Sequence, residues 1–352
     1  MKKNQEKITW FMPPAPRAFL LEKPRALPEN CELFSCGRDA LIAALELEKF
    51  RAPRKVWLPE FFCPALSRNL APDAEFYQDY PSEPAPRFET LKPKKGDAVV
   101  AVNFFGLRDP EIWENFFASR ADVLAIRDNS HAPFCEESIN PPSGYSFASL
   151  RKTLPLPDGG CLFGKNLKAR KIFREGGESA PFAQKALAAA ALCGVLGYRP
   201  EVEKLYYEGE NALEEKRGVS RISKYSAEIL ARLDIEKIAR RTLRNLLVFR
   251  GNFEGFGKCR ELGASPAAAI DPFRAFCPTL KFSDPRLRDK CHNALFDIGA
   301  MPSIYWGGLG RGVSARAREE SNTILSIPLD FRHSQADAAR IAEFISGLCA
   351  AR

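Results

Sequence analysis

The run Ala98-Val99-Val100-Ala101-Val102 contains no polar residue. A strand with one wet face alternates apolar and polar side chains. One that is apolar throughout needs cover on both faces, which helices flanking a parallel sheet provide. Lys55-Val56-Trp57-Leu58-Pro59 and Asp122-Val123-Leu124-Ala125-Ile126 are further short apolar runs, and helical patterns alternate with them. In the segment Leu33 to Leu45, for example, Leu41, Ala44 and Leu45 share one helical face. The expected fold is therefore α/β, with a parallel sheet covered on both sides. Ligands of such sheets bind outside the carboxyl ends of the strands. Four segments, beginning at Pro59, Asn103, Asp128 and Ser146, fall at such ends and are expected to converge on one pocket.

The chemistry in those segments centres on an aspartate and a lysine. Asp128 closes one apolar run and opens Asp128-Asn129-Ser130-His131-Ala132. Lys152 follows the Ser146-Phe147 strand end and precedes a turn that closes on Gly159-Gly160. Alone, each has an ordinary explanation, as a turn-forming aspartate or a solvated lysine. Their order and strand-end placement point to pyridoxal 5'-phosphate: the lysine forms a Schiff base with the aldehyde, and the aspartate keeps the pyridine nitrogen protonated. Gly37 and Arg38 stand at a helix entrance, where backbone N–H groups and the dipole favour a phosphate.

Composition narrows the alternatives. At 352 residues the chain suits one large α/β domain and a smaller one. No stretch reaches the roughly 20 apolar residues that span a bilayer; the Ala-rich segment Ala186 to Leu196 reads as a buried helix. The charged start, Met1 to Lys7, is followed by no apolar signal region, so a cytoplasmic protein is expected. Ten cysteines lie without CxxC pairs and read as reduced thiols, and three histidines without ligand spacing leave no metal site to expect. The net charge of +8 comes with no nucleic-acid-binding signature and suits attraction of an anionic small molecule.

Residues 1–30, rich in proline and charge, are expected to wrap the surface, with a large cofactor-binding domain over 31–250 and a small C-terminal domain over 251–352. Gly251, Gly255 and Gly257 mark the break after the amphipathic helix that starts at Asp234. After Gly160 the pattern reads as helical, over Lys165 to Phe173 and Ala183 to Leu196. The last helix opens on Ser334 and Asp337 as a capping box. The glycine-rich run from Gly307 to Gly312 prompts a nucleotide-binding oxidoreductase, but it lacks the fingerprint's spacing and opens no convincing helix, so it reads as a loop.

From about Ser35 to the C-terminal helix, the order of motifs resembles the DegT/DnrJ/StrS-type sugar aminotransferases. Cys36-Gly37-Arg38-Asp39-Ala40-Leu41 is similar to that family's Ser-Gly-Thr-x-Ala-Leu phosphate turn. Arg127 to Ala132 is similar to its Glu-Asp-x-x-Gln/His-Ala segment, and Ser146 to Gly160 to its Ser-Phe-x-x-x-Lys…Gly-Gly loop. Ile324 to Leu329 looks like its final Leu-Pro-Leu segment. The resemblance implies a fold type I pyridoxal-phosphate enzyme, with a large domain built on a mostly parallel seven-stranded sheet and a small α+β domain. It implies that Lys152 carries the cofactor, Asp128 holds the ring nitrogen and His131 lies near the phenolic oxygen. Gly37 and Arg38 would serve the phosphate, joined by Ser146 or Ser149. An aromatic from Phe61–Phe62, Phe62 in particular, or else Cys63, would cover the ring. Asn103, Phe104, Tyr305 and Trp306 would meet substrate.

The chain departs from the pattern in places. One extra residue before the lysine makes Arg151 and Lys152 compete for its position, and a permanently charged guanidinium cannot form a Schiff base. The family's Asn-Tyr-Arg-Met-Ser is Val219 to Ser223 here, so the asparagine that makes the family's inter-subunit phosphate contact is replaced. The resemblance implies transfer of an amino group from an amino acid such as glutamate to a nucleotide-linked keto sugar, in a homodimer with shared active sites. A lyase, dehydratase or non-sugar transaminase of the same fold, and a catalytically silent scaffold, are the alternatives.

Overall fold

The computed structural model describes residues 15–48, 54–70, 73–165, 167, 200–215, 218–263, 271–306, 309 and 313–351. The helix expected from Ala183 to Leu196 lies outside them, as do most of the one from Lys165 and of the run from Gly307 to Gly312.

Seven strands form the main sheet: β1 (Cys31–Phe34), β2 (Val56–Pro59), β3 (Ala74–Tyr77), β4 (Ala98–Val102), β5 (Leu124–Asp128), β6 (Tyr145–Ser149) and β7 (Gly160–Gly164), in the order β1-β7-β6-β5-β4-β2-β3. Strands β3, β2, β4, β5 and β6 run parallel, while β7 is antiparallel to both β6 and β1. The continuous apolar run of β4 is divided between two cores. Ala98, Val100 and Val102 pack with helix α1 (Gly37–Leu47), through Ala40, Leu41 and Ala44. Val99 and Ala101 meet Trp113 and Phe117, which face inward from a later helix, Pro110–Ser119. Both faces are dry, as a polar-free strand demands.

Gly160 to Gly164 form a strand that the sequence reading did not single out, ahead of the stretch expected to be helical from Lys165. Cys161, Leu162 and Phe163 are buried between β1 and β6. The glycines at both ends of β7 disguised it: they lower strand propensity, yet Gly160 is there for close approach.

A second sheet, of β8 (Cys259–Glu261), β9 (Thr279–Phe282) and β10 (Ile324–Ser326), is antiparallel in the order β10-β9-β8. Its core unites Leu280, Phe282, Leu295, Leu325, Ile341 and Ile345. The helix Gln335–Ala350 covers it and opens on the Ser334/Asp337 capping box. The long helix Ile235–Asn252 belongs to both units: Ile238 packs with Phe19, Leu154 and Phe331, and Phe249 packs in the small-sheet core. The N-terminal segment docks over its start, where Phe19 is buried edge-on against Phe331 at 5.1 Å and Leu20 bridges Leu233. Among the described residues no helix is long and apolar enough to cross a membrane.

Candidate active site

Strand register brings the chemistry together. In the parallel pairing of β5 and β6, Asp128 stands opposite Phe147 and Arg127 opposite Ser146. Phe147 packs in the α1 core, so Asp128 faces α1 while Ser146 faces the other side. Ser146 accepts from Asn129 Nδ2 at 3.0 Å and lies 3.2 Å from Ser138 Oγ, in a buried network behind the sheet. Ser149, in phase with Phe147, is the serine at the α1 entrance: a Cβ on Gly37 would lie 3.2 Å from Ser149 Cβ. Asn103 is engaged in the same rear network, with Nδ2 on Asn129 Oδ1 (3.0 Å) and Oδ1 accepting the Arg108 N–H (3.1 Å).

Asp128 is buried, and burial raises its pKa above the usual carboxylate value. The positive charge of Lys152 and hydrogen bonds from Ser130 oppose that rise. His131 is buried too; burial first, then the Lys152 charge, hold its pKa well below the ordinary imidazole value. Its Nδ1 accepts the Phe105 N–H at 3.1 Å, which assigns the ring proton to Nε2. That N–H is aimed by a tight turn: Phe105 has φ +56° and Gly106 φ +75°, and a side chain on Gly106 would overlap the Arg274 carbonyl. A bulky residue at positive φ is costly and persists only where its surroundings enforce it. The His131 ring lies near-parallel to Phe105 (5.1 Å) and Phe276 (4.4 Å), which are 6.4 Å from each other, with Tyr305 edge-on at 5.4 Å.

Lys152 ends a single 3-10 turn, Leu150–Lys152, directly after β6. Its Nζ is 6.0 Å from the Trp306 ring centroid, and it lines one cavity with His131, Phe276, Ile238, Thr242 and Asp330. Arg151 is turned elsewhere, in a two-armed ion pair with Glu210 whose longer arm is 2.8 Å. Trp306 lies 5.0 Å from Phe61 and 6.3 Å from Phe62, and Phe104 meets Phe61 at 5.8 Å. Tyr305, Trp306, Phe61, Phe62 and Phe104 thus form an aromatic wall beside Lys152 and His131. Cys63 is only partly buried.

At the other end of the site, α1 starts on Cys36, which is extended and makes no side-chain cap. Helix geometry gives the first-turn N–H groups no intrahelical acceptor. A Cβ on Gly160 would overlap the Cys36 carbonyl, so only glycine lets β7 approach here. Asp39 anchors the turn by accepting Ser35 Oγ (2.7 Å) and the Ser220 N–H (2.8 Å), and Arg38 lies 4.0 Å from it, buried.

These residues fit pyridoxal phosphate. His131 Nε2 is a buried polar atom without a partner, suited to the phenolic oxygen. Asp128 offers a carboxylate of raised proton affinity for the ring nitrogen, and the α1 entrance offers N–H groups for the phosphate. Sequence reasoning missed Phe105, Phe276 and Ser130; the Phe105-Gly106 pair, a turn after a buried strand, was the available signal for the first.

The backbone arrangement is the α/β fold of the fold type I aminotransferases. It matches the aminotransferase TlmJ from Streptoalloteichus hindustanus over 98% of this chain and 99% of that one, at 16% identity and a TM-score of 0.66. DesV from S. venezuelae, solved in complex with a ketimine intermediate, matches over 94% and 92% at 14% identity and a TM-score of 0.61. NtdA from Bacillus subtilis, with bound cofactor PMP, matches over 90% and 73% at 12% identity and a TM-score of 0.58. The fold is thus the one that the resemblance to DegT/DnrJ/StrS-type sugar aminotransferases implied. No protein-family model matches the chain, and a search of curated proteins returns no match.

Proposed function

We propose that this chain is a pyridoxal-phosphate-dependent aminotransferase that moves an amino group from an amino acid such as glutamate to a nucleotide-linked keto sugar. The observation that carries the reading is the convergence of Asp128, His131 and Lys152 in one buried site beside the α1 entrance. The cofactor supplies an electrophilic aldehyde and a ring that absorbs negative charge. The chain supplies the rest. Asp128 would hold a proton at the ring nitrogen, and the His131 Nε2–H would donate to the phenolic oxygen. Lys152 would hold the cofactor through its amine and, when free, would serve at Nζ as the base for the donor's α-carbon proton. The wall of Phe61, Phe62, Phe104, Tyr305 and Trp306 keeps water out, and Ser149 and Gly37 shape the phosphate end. The ketimine intermediate of DesV and the PMP bound to NtdA support the cofactor. The sugar acceptor rests on the sequence resemblance.

The test is the visible spectrum of purified protein with pyridoxal phosphate, wild type beside Lys152→Ala, followed by L-glutamate. The expected result is a yellow band in wild type alone, bleached by glutamate. Identical colourless spectra from both proteins would overturn the reading.

A further inference from the structure

Arg274 grips the turn that aims the Phe105 N–H at His131. It ends a single 3-10 turn, Pro272–Arg274, capped by Asp271, whose carboxylate accepts the Phe273 N–H at 2.9 Å. The Arg274 guanidinium forks onto the Arg108 carbonyl, with Nη1 at 3.0 Å and Nη2 at 3.1 Å. Nη2 also pairs with Glu137, on the short helix Glu136–Ile139. Two-armed, charge-assisted contacts of this kind fix direction as well as distance. The carbonyl they hold is itself anchored. The Arg108 N–H donates to Asn103 Oδ1 at 3.1 Å, and its guanidinium is taken by Asp79 and by the Glu83 (2.9 Å) and Tyr80 (3.2 Å) carbonyls. The turn grips back, since Gly106 packs so closely on the Arg274 carbonyl that a side chain there would overlap it. Two residues on from Arg274, Phe276 lies on the His131 ring; Phe105, from the gripped turn, lies near-parallel to the same ring and donates to its Nδ1.

We propose that Arg274 is a positioning residue for His131: its grip on the Phe105-Gly106 turn keeps the Phe105 N–H on Nδ1 and so keeps the ring proton at Nε2. A phenylalanine at φ +56° holds that conformation only under constraint, and the fork from Arg274 to the end of the turn, with Gly106 locked on the Arg274 carbonyl, is the constraint. The tautomer concerns this chain alone. That it serves a cofactor's phenolic oxygen rests on the proposed function.

The test is a proton–nitrogen NMR spectrum of the imidazole rings in cofactor-free protein carrying nitrogen-labelled histidine, at neutral pH, with His131→Gln identifying the resonances. Wild type is compared with Arg274→Ala and with Arg274→Lys, which keeps the charge towards Glu137 but cannot fork. Arg120→Ala is the control: it breaks a similar clamp, onto Asp122 and the Pro93 carbonyl, ahead of β5. The expected wild type is dominated by the Nε2-protonated form. In Arg274→Ala the ratio of that form to the Nδ1-protonated one should fall about fivefold, the worth of about one hydrogen bond, with a smaller fall in Arg274→Lys and none in the control. A wild-type ratio in folded Arg274→Ala overturns the assignment, as does an equal fall in Arg120→Ala or a wild type protonated on Nδ1. Where Arg274→Ala does not fold, an unchanged ratio in Arg274→Lys overturns it, and loss of the fold in both does so by making Arg274 a structural tie. Because the spectrum needs no cofactor, a wild type that stays colourless with pyridoxal phosphate would sink the aminotransferase reading and leave the role of Arg274 to this result.

Discussion

Replacing Gly160 by alanine tests whether the packing of β7 against the α1 entrance is as tight as the geometry implies. An ideal Cβ there overlaps the Cys36 carbonyl and lies 2.7 Å from the Gly37 nitrogen. Relief to an ordinary contact of about 3.5 Å needs a backbone shift near 0.8 Å at Gly37 alone, and a larger one at Cys36. The obstacles are main chain on both sides, and Gly160 is pinned by rungs to Phe34 and Ser149. Overpacking a core costs about 1–3 kcal/mol, and a clash with backbone belongs at the upper end, so about 3 kcal/mol is expected. That is a large part of the 5–15 kcal/mol typical of a folded domain. Since the backbone of Gly160 is not left-handed, the whole effect is steric. Urea unfolding followed by circular dichroism gives the loss of stability, and a pyridoxal-phosphate titration gives the accompanying weakening at the phosphate end. Gly251→Ala is the control. Nothing lies within 4 Å of its Cβ, it sits inside the helix Ile235–Asn252, and it should stabilise by about 0.5–1 kcal/mol. Equal stability of Gly160→Ala and wild type would refute the argument from close approach.

Other consequences are open to measurement. The pKa of His131 is depressed in the folded state, so below about pH 6.5 the unfolded chain binds a proton that the folded one does not; this residue should cost about 1.4 kcal/mol per pH unit of further acidification, and His131→Gln should remove that slope in a pH series of denaturation curves. Asp128 has the opposite sense: its folded pKa is raised, so stability falls as pH rises from the usual aspartate range through the folded value. Asp128→Asn should be the more stable protein at neutral pH in thermal melts, and should lose glutamate bleaching by about a hundredfold or more. Asp158 is fully buried and accepts the Ser223 N–H (2.8 Å), Ser223 Oγ (2.7 Å) and Ser226 Oγ. Asp158→Ala leaves these donors unpaired and should lower urea stability by about 3 kcal/mol.

Much of this arrangement is written in the sequence where one physical effect dominates. The polar-free run of β4 specified a sheet dry on both faces, and Ser334 with Asp337 specified a helix start, because burial and capping are local demands. Asp128 and Lys152 were legible because strand ends are where such sheets place chemistry. Ser146 and Ser149 could not be separated by type alone. Their phase relative to Phe147 separates them, and that phase has meaning only once the buried face is known. Strand β7 was missed because its glycines serve distant neighbours, Gly160 the Cys36 backbone 124 positions away by number and Gly164 the Tyr145 ring, and no local pattern reports such contacts. β3 escaped because Glu75 and Phe76 are exposed at the sheet edge. Arg151 and Lys152 are adjacent basic residues, and what parts them is Glu210, which lies far along the chain.

The pairing of β1 with β7 sets an order of events during synthesis. Strand β1 and α1 leave the ribosome early, but Phe34 finds Gly160 only after the five strands between them have been made. Contacts this distant are slow to form, and until then the edge of β1 is an unpaired template for other chains. The α1 entrance is therefore completed by the same rung that closes the sheet. On the proposed reading, a nascent chain would capture the cofactor's phosphate at α1 only once β1 and β7 are in register, and the ligand would then act as a clasp on that joint.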